Sequence, residues 1–167
     1  MSSTFVAILM GSDSDLPVMK ATIDILKQFN IDHEVRVRSA HRTPEAAKAY
    51  VKDAEARGCK VFICAAGLAA HLAGAVAGMT TRPVIGVPID NGPLQGHDAL
   101  LSTVMMPGGI PVATVAIGKA GAKNAGYLAA QILGVADQNI ADSVAAERVS
   151  NAEKLLAKDE AMQAQLS

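Results

Sequence analysis

Short, continuously apolar segments alternate along this chain with longer segments of helical periodicity, and this alternation restricts its fold more than any other feature. The first apolar segment, residues 4–10 (TFVAILM), has no regular polar alternation, as expected for a strand that is buried on both faces of a sheet. Residues 16–29 then carry apolar side chains close to helical spacing. Because parallel strands need a helix-length connection, the repeated order of strand and helix predicts a parallel sheet with helices on both faces.

Five strand–helix units can be recognised. The predicted strands are residues 4–10, 33–38, 61–65, 83–87 and 111–117, and the predicted helices are residues 16–29, 43–57, 69–78, 98–105 and 120–133. The second strand, HEVRVR, alternates polar and apolar residues, which indicates an edge strand or a wet face. As a fold-level expectation we predict a flavodoxin-like three-layer α/β sandwich with a parallel five-stranded sheet in the order 2-1-3-4-5.

The last part of the chain differs from the rest. We predict a single domain over residues 1–167, with a core of about residues 4–134 and a helical tail of about residues 137–165. The tail is charged, Ala-rich and free of Gly, and its apolar positions are too sparse to form a core. Since the mean hydropathy of +0.26 is also high for a small monomer, we expect the tail to pack on other subunits; a frayed, solvated helix is the alternative.

Composition excludes several classes of function. Aromatic residues make up 3% of the chain and the formal net charge is −1, so neither base stacking nor a broad basic face predicts nucleic-acid binding. The N-terminus lacks a basic region of a signal peptide, and no apolar run approaches the ~18 residues that span a bilayer. We expect a cytoplasmic protein without membrane contact. Cys59 and Cys64 have no zinc spacing, Cys64 fits a core position, and we predict no metal.

Three polar segments are expected to meet at one edge of the sheet. Residues 11–15 (GSDSD), 39–44 (SAHRTP) and 65–71 (AAGLAAH) follow predicted strands 1, 2 and 3. In a doubly wound sheet ligands bind beyond the carboxyl ends of the strands, where the strand order reverses. The three segments would therefore share one crevice, provided that the predicted strand order holds.

The chemistry of these segments indicates a phosphorylated ligand. Ser12 and Ser14 lie at a helix start, where unpaired N–H groups favour a phosphate, and Asp15 could accept from sugar hydroxyls; simple helix capping is the alternative. Arg42 could hold a phosphate in bidentate fashion. His41 is the first candidate for proton transfer, against the alternative of an ordinary loop histidine.

The third segment combines small residues with a second histidine. Gly67, Gly74 and the alanines around them would let a flat ligand lie against the backbone. His71 is expected in the first turn of the following helix, where a structural role is as plausible as contact with a ligand. His33 and His97 make weaker candidates, because one precedes a strand and the other lies in a Gly-rich loop.

Taken together, the motifs resemble those of the PurE family. GSDSD, SAHRTP, AAGLAAHLAG and MPGGIPVATVAIGKAGAKNAGYLAAQIL occur in the family's order between residues 6 and 133. The resemblance implies a homo-octamer with sites between subunits and no metal or organic cofactor. It also implies transfer of a carboxyl group from the exocyclic nitrogen to a ring carbon of an aminoimidazole ribonucleotide, which yields 4-carboxy-5-aminoimidazole ribonucleotide in purine biosynthesis.

The resemblance also implies roles for particular residues of this chain. His41 would be the catalytic acid–base. The residues implied to bind the ribonucleotide substrate are Ser12, Asp15, Ser39 and Arg42 at the phosphate and ribose, and Gly67, Ala70, His71 and Leu72 at the base and carboxylate.

Two residues depart from the family's mutase branch, and other functions stay open. That branch usually has GGAAHLPG, whereas this chain has Leu68 and Ala73 within GLAAHLAG. A sister branch, which carboxylates aminoimidazole ribonucleotide with free carbon dioxide, differs in the same loop; His71 and Arg42 favour the mutase.

A flavodoxin-like receiver or other nucleotide-binding module is the non-enzymatic alternative, although the expected phospho-acceptor Asp after strand 3 is missing. A flavin carrier would want more aromatic residues.

Overall fold

The computed structural model describes residues 4–166, which form a five-stranded parallel sheet between two layers of helices. The sheet order is β2-β1-β3-β4-β5, so the predicted flavodoxin-like α/β fold and strand order are confirmed. The strands are β1 (Phe5–Met10), β2 (His33–Val37), β3 (Cys59–Ala66), β4 (Val84–Pro88) and β5 (Ala113–Thr114). The helices are α1 (Leu16–Gln28), α2 (Pro44–Arg57), α3 (Leu72–Ala77), α4 (His97–Val104), α5 (Gly118–Gly134) and α6 (Gln138–Leu166).

Alternate residues of the central strand serve two separate cores. Val6, Ile8 and Met10 pack in the cluster that includes α1 and α5. Phe5, Ala7 and Leu9 pack in the opposite cluster, which includes α2 and α3. Because both faces of β1 are covered, each of its residues must be apolar, and this explains the uninterrupted apolar segment at the start of the sequence.

Helix α5 lies unusually close to its neighbour α1 and to the preceding loop. The buried Thr22 hydroxyl donates to the Ala122 carbonyl oxygen over 2.6 Å. A Cβ added to Gly126 would lie 2.8 Å from Ile25 Cβ. A Cβ added to Gly121 would lie 1.5 Å from the Ala116 carbonyl oxygen. The small residues of α5 therefore set the separation of this helix from its surroundings.

Several predicted boundaries were wrong. β5 covers only Ala113–Thr114 instead of residues 111–117, since it is an edge strand and Pro111 has no N–H to donate. α3 begins at Leu72 instead of residue 69, and β3 begins at Cys59 instead of residue 61. Gly58 ends α2 with φ of 109°, a left-handed conformation that glycine adopts without steric penalty.

The predicted helical tail is confirmed as α6, a single helix of 29 residues. Its first part is held to α5 through the buried Val144 and through the Tyr127 hydroxyl, which donates to Glu147 Oε1 over 3.2 Å. Residues 151–166 are all exposed. The packing of α6 on other subunits stays a prediction.

Candidate active site

The carboxyl ends of the strands open into a pocket of about 450 Å³. All three predicted loops line it, so their predicted convergence is confirmed. Eight of the nine predicted site residues are among the lining residues: Ser12, Asp15, Ser39, His41, Arg42, Gly67, His71 and Leu72. The roles assigned to them in catalysis and binding stay predictions.

The loop after β1 forms a capping box in which only one oxygen of the Asp15 carboxylate accepts a hydrogen bond. Ser14 N donates to Ser12 Oγ over 3.3 Å, and Ser12 N donates to Asp15 Oδ2 over 3.1 Å. Helix capping, the alternative considered above, is therefore present. Asp15 is nonetheless 2% exposed, and its Oδ1 has no hydrogen-bond partner among residues 4–166. Burial raises the pKa of this carboxyl. A buried acceptor without a partner is a suitable contact for a ligand hydroxyl.

The loop after β2 is tied both to itself and to the loop after β1. Arg42 N donates to Ser39 Oγ over 3.1 Å. The Thr43 hydroxyl makes no cap hydrogen bond at the start of α2 and donates to the Ser39 carbonyl oxygen over 3.2 Å. Arg42 Nη2 donates to the Gly11 carbonyl oxygen over 2.7 Å. The guanidinium is thus positioned beside the serines of the β1 loop, where the phosphate end of a ligand is predicted.

Two histidines from different loops meet in the pocket. His41 Nε2 lies 2.8 Å from His71 Nδ1, with the rings edge to face at 84°. A hydrogen bond between two imidazole nitrogens needs a proton on one and a lone pair on the other. The pair can therefore hold one exchangeable proton at the pocket. His71 itself precedes α3, whereas the sequence predicted it in the first turn.

The residues around His71 divide into pocket wall and core. Ala70, predicted to contact the ligand, is 1% exposed and does not line the pocket. Its carbonyl oxygen accepts from the Thr103 hydroxyl over 3.4 Å. Ala73 is also buried, whereas Leu68 lines the pocket and is 51% exposed. Of the two departures from the mutase pattern, Leu68 is thus the one that a ligand would meet.

Asn91, which the sequence analysis did not single out, also lines the pocket. It follows β4, and a Cβ added to Gly67 would lie 1.8 Å from Asn91 Oδ1. The strand order could have predicted the place of Asn91, since β4 neighbours β3 and the loop after β4 reaches the same edge of the sheet. The predicted pocket comprised only the loops after strands 1, 2 and 3.

The other candidate residues have structural roles. His33 Nδ1 and His97 Nδ1 each lie 3.0 Å from a nearby carbonyl oxygen, of Ile31 and Leu94 respectively. Cys64 is buried, and burial raises the pKa of its thiol. Within residues 4–166 no group of three His, Cys, Asp or Glu side chains is arranged to hold a metal ion, and no helix is long and apolar enough to cross a membrane.

Known proteins are similar to this chain in sequence and in fold. The family model described as AIR carboxylase matches residues 5–154. The chain belongs to the AIR carboxylase family. The predicted PurE-type membership is thereby confirmed, because the PurE of Treponema denticola, whose crystal structure is known, is 36% identical, with a TM-score of 0.86 over 95% of this chain and 98% of that one.

Closer relatives within the AIR carboxylase family carry two different names. A Thermotoga maritima protein named N5-carboxyaminoimidazole ribonucleotide mutase is 58% identical over 83% of this chain and 80% of its own length. A Bacillus subtilis protein of the same name is 52% identical over 90% of this chain and 93% of its own. A Vigna aconitifolia protein named phosphoribosylaminoimidazole carboxylase, chloroplastic, is 53% identical over 83% of this chain. The matched region is 24% of the length of the Vigna protein.

Proposed function

We propose that this chain is a mutase that converts 5-(carboxyamino)imidazole ribonucleotide into 4-carboxy-5-aminoimidazole ribonucleotide in purine biosynthesis. The observation that carries the proposal is the His41–His71 pair, whose ring nitrogens lie 2.8 Å apart in the pocket. The names of the relatives at 58% and 52% identity support the same reaction.

The substrate has two ends, and the pocket offers different chemistry to each. The phosphate and ribose would bind to Ser12, Ser39 and Arg42, with the unpartnered Asp15 Oδ1 accepting from a ribose hydroxyl. Anchoring the phosphate fixes the distant imidazole ring relative to the histidine pair, and such positioning can lower a barrier substantially. Gly67, His71 and Leu72 would lie at the base.

The reaction needs one proton, which His41 can supply and recover. Protonation of the exocyclic nitrogen breaks its bond to the carboxyl carbon and releases carbon dioxide together with aminoimidazole ribonucleotide. The electron-rich ring carbon then forms a bond to the same carbon dioxide. Removal of the ring proton by His41 restores aromaticity and the original protonation state, so the atoms balance without a cofactor. A positioned acid–base typically contributes ~10²–10⁴-fold to the rate.

We also propose that the protein works in the cytoplasm as a homo-oligomer, an octamer by family expectation. Leu101, Val104 and Met105 are 63%, 44% and 79% exposed on one side of the chain. Together with the exposed second half of α6, these side chains suit contact with further copies.

A comparison of two substrates tests the reaction. The carboxyamino ribonucleotide is supplied without bicarbonate, and aminoimidazole ribonucleotide is supplied with bicarbonate, at low dissolved carbon dioxide. We expect efficient turnover of the first alone. Efficient turnover of the second alone would favour the carboxylase, the activity named for the Vigna relative, and turnover of neither would refute both.

A further inference from the structure

The loops after β3 and β4 interlock through two side chains that each rest on a glycine of the other loop. Asn91 lies against Gly67, where an added Cβ would be 1.8 Å from Asn91 Oδ1. Leu68 lies against Gly92, where an added Cβ would be 2.5 Å from Leu68 Cδ2. The interlock is reciprocal, because each loop contributes one side chain and one glycine.

Leu68 adopts a backbone conformation that disfavours leucine. Its φ is 56°, in the left-handed region that is normally occupied by Gly, Asn or Asp. The side chain is 51% exposed, so core packing does not account for this residue. Strained residues of this kind persist where surrounding contacts determine them, and they cluster at functional sites. The Leu68 side chain contacts the backbone at Gly92.

Asn91 presents an amide that the fold does not use. Within residues 4–166 the side chain has no hydrogen-bond partner, although it lines the pocket and packs on Gly67, in the loop that carries His71. Its Nδ2 group can donate two hydrogen bonds. Among the lining residues Arg42 is the permanently cationic side chain, and it is bonded to the β1 loop. The end of the pocket near Gly67 therefore has a neutral donor instead of a cation.

We propose that Asn91 binds the migrating carboxylate of the ribonucleotide, and that Leu68 is a positioning residue that holds Asn91 in place through Gly92. The proposal rests on the proposed function for the identity of the ligand. A neutral amide can hold the carboxylate in both substrate and product and can release it as uncharged carbon dioxide in between. A fixed cation would instead favour the charged states over the intermediate.

Binding measurements test this without relying on turnover. The dissociation constants of aminoimidazole ribonucleotide and of its 4-carboxy derivative are measured by calorimetry. The first constant divided by the second reports recognition of the carboxylate, since it rises as the carboxylate adds affinity. For Asn91→Ala we expect this ratio to fall roughly 10- to 100-fold, the usual effect of losing a hydrogen bond to a charged group. Affinity for ribose 5-phosphate should not change, because the phosphate contacts are on other loops.

The interlock is tested by a double-mutant cycle. Leu68→Asn tolerates the left-handed backbone but loses the apolar contact, and we expect it to lower the same ratio in the wild type and to have no further effect beside Asn91→Ala. Leu94→Asn makes the same exchange at an exposed leucine of the β4–α4 loop that does not line the pocket, and it should leave the ratio unchanged.

Each outcome separates the two proposals. A ratio for Asn91→Ala within about twofold of wild type, or weaker binding of ribose 5-phosphate to the same extent, overturns the role of Asn91. Equal effects of Leu68→Asn in both backgrounds overturn the positioning role. A wild-type protein that binds both ribonucleotides and turns over neither overturns the proposed function while the ratio still decides the present inference.

Discussion

Replacing His41 by Asn should abolish turnover while leaving the fold and the binding of the nucleotide intact. The side chain is exposed, and the hydrogen bond that it makes is the 2.8 Å contact with His71. Exposed substitutions usually change the free energy of unfolding by no more than about 0.5 kcal/mol. Loss of a positioned acid–base costs ~10²–10⁴ in rate, or about 2.7–5.5 kcal/mol in the activation barrier. The expected kinetic effect is thus several times larger than the expected structural effect.

The assay combines kcat for the carboxyamino ribonucleotide, the thermal midpoint, and calorimetric binding of the 4-carboxy product. His33→Asn is the matched control, since His33 lies outside the pocket and its ring contacts the Ile31 carbonyl oxygen. We expect the control to retain wild-type kcat. A kcat for His41→Asn within about fivefold of wild type would refute the assigned role. A similar loss in the control would show that the effect is not specific to the pocket.

Three further substitutions test other parts of the structure. Arg42→Ala should raise KM roughly 10- to 100-fold with less effect on kcat, as expected for a lost phosphate contact; an unchanged KM counts against that contact. Burial raises the pKa of Asp15, so its charge weakens the fold at neutral pH, and Asp15→Asn should raise the thermal midpoint at pH 7 while weakening nucleotide binding. This gain should shrink as the pH falls to the ordinary range of an Asp carboxyl, and a gain independent of pH contradicts it. Gly121→Ala should destabilise by about 3 kcal/mol in urea unfolding, because its Cβ would lie 1.5 Å from the Ala116 carbonyl oxygen. Gly78→Ala, whose Cβ would meet only ordinary contacts of 3.6 Å or more, should be close to neutral, and equal effects of the two would refute the steric argument.

The parallel sheet and most of the pocket followed from patterns that are local in sequence, whereas the strand order 2-1-3-4-5 was a fold-level expectation. A segment such as residues 4–10 shows its burial on both faces in its own composition, and the crossover rule then leaves few sheet orders. Both strands that flank β1 end in polar loops, so the meeting of His41 with the β3 loop could be anticipated. The hydrogen bond between the two histidines could not be anticipated, because it depends on side-chain directions that the spacing of residues in the sequence does not determine.

The errors arose where tertiary contacts override local preference. β5 was predicted too long because apolar content does not reveal which strand lies at an edge. Ala70 was expected at the ligand through the resemblance to the PurE family, whereas it is 1% exposed and its carbonyl oxygen accepts from the Thr103 hydroxyl. The conformation of Leu68 contradicts the preference of leucine, and its partner Gly92 is distant in sequence. Asn91 was missed for the same reason, since its neighbour Gly67 belongs to another loop.

The exposed part of helix α6 makes the helical content of this protein depend on the protein concentration. Residues 151–166 are all exposed in the isolated chain, and helices of about that length are marginal in water unless something packs against them. In an assembly that covers them, these residues would be helical; in a dilute solution of separated chains, they would unwind first. The far-ultraviolet circular dichroism signal per residue would then decrease on dilution while the sheet and its pocket stay folded, which makes this signal a measure of association.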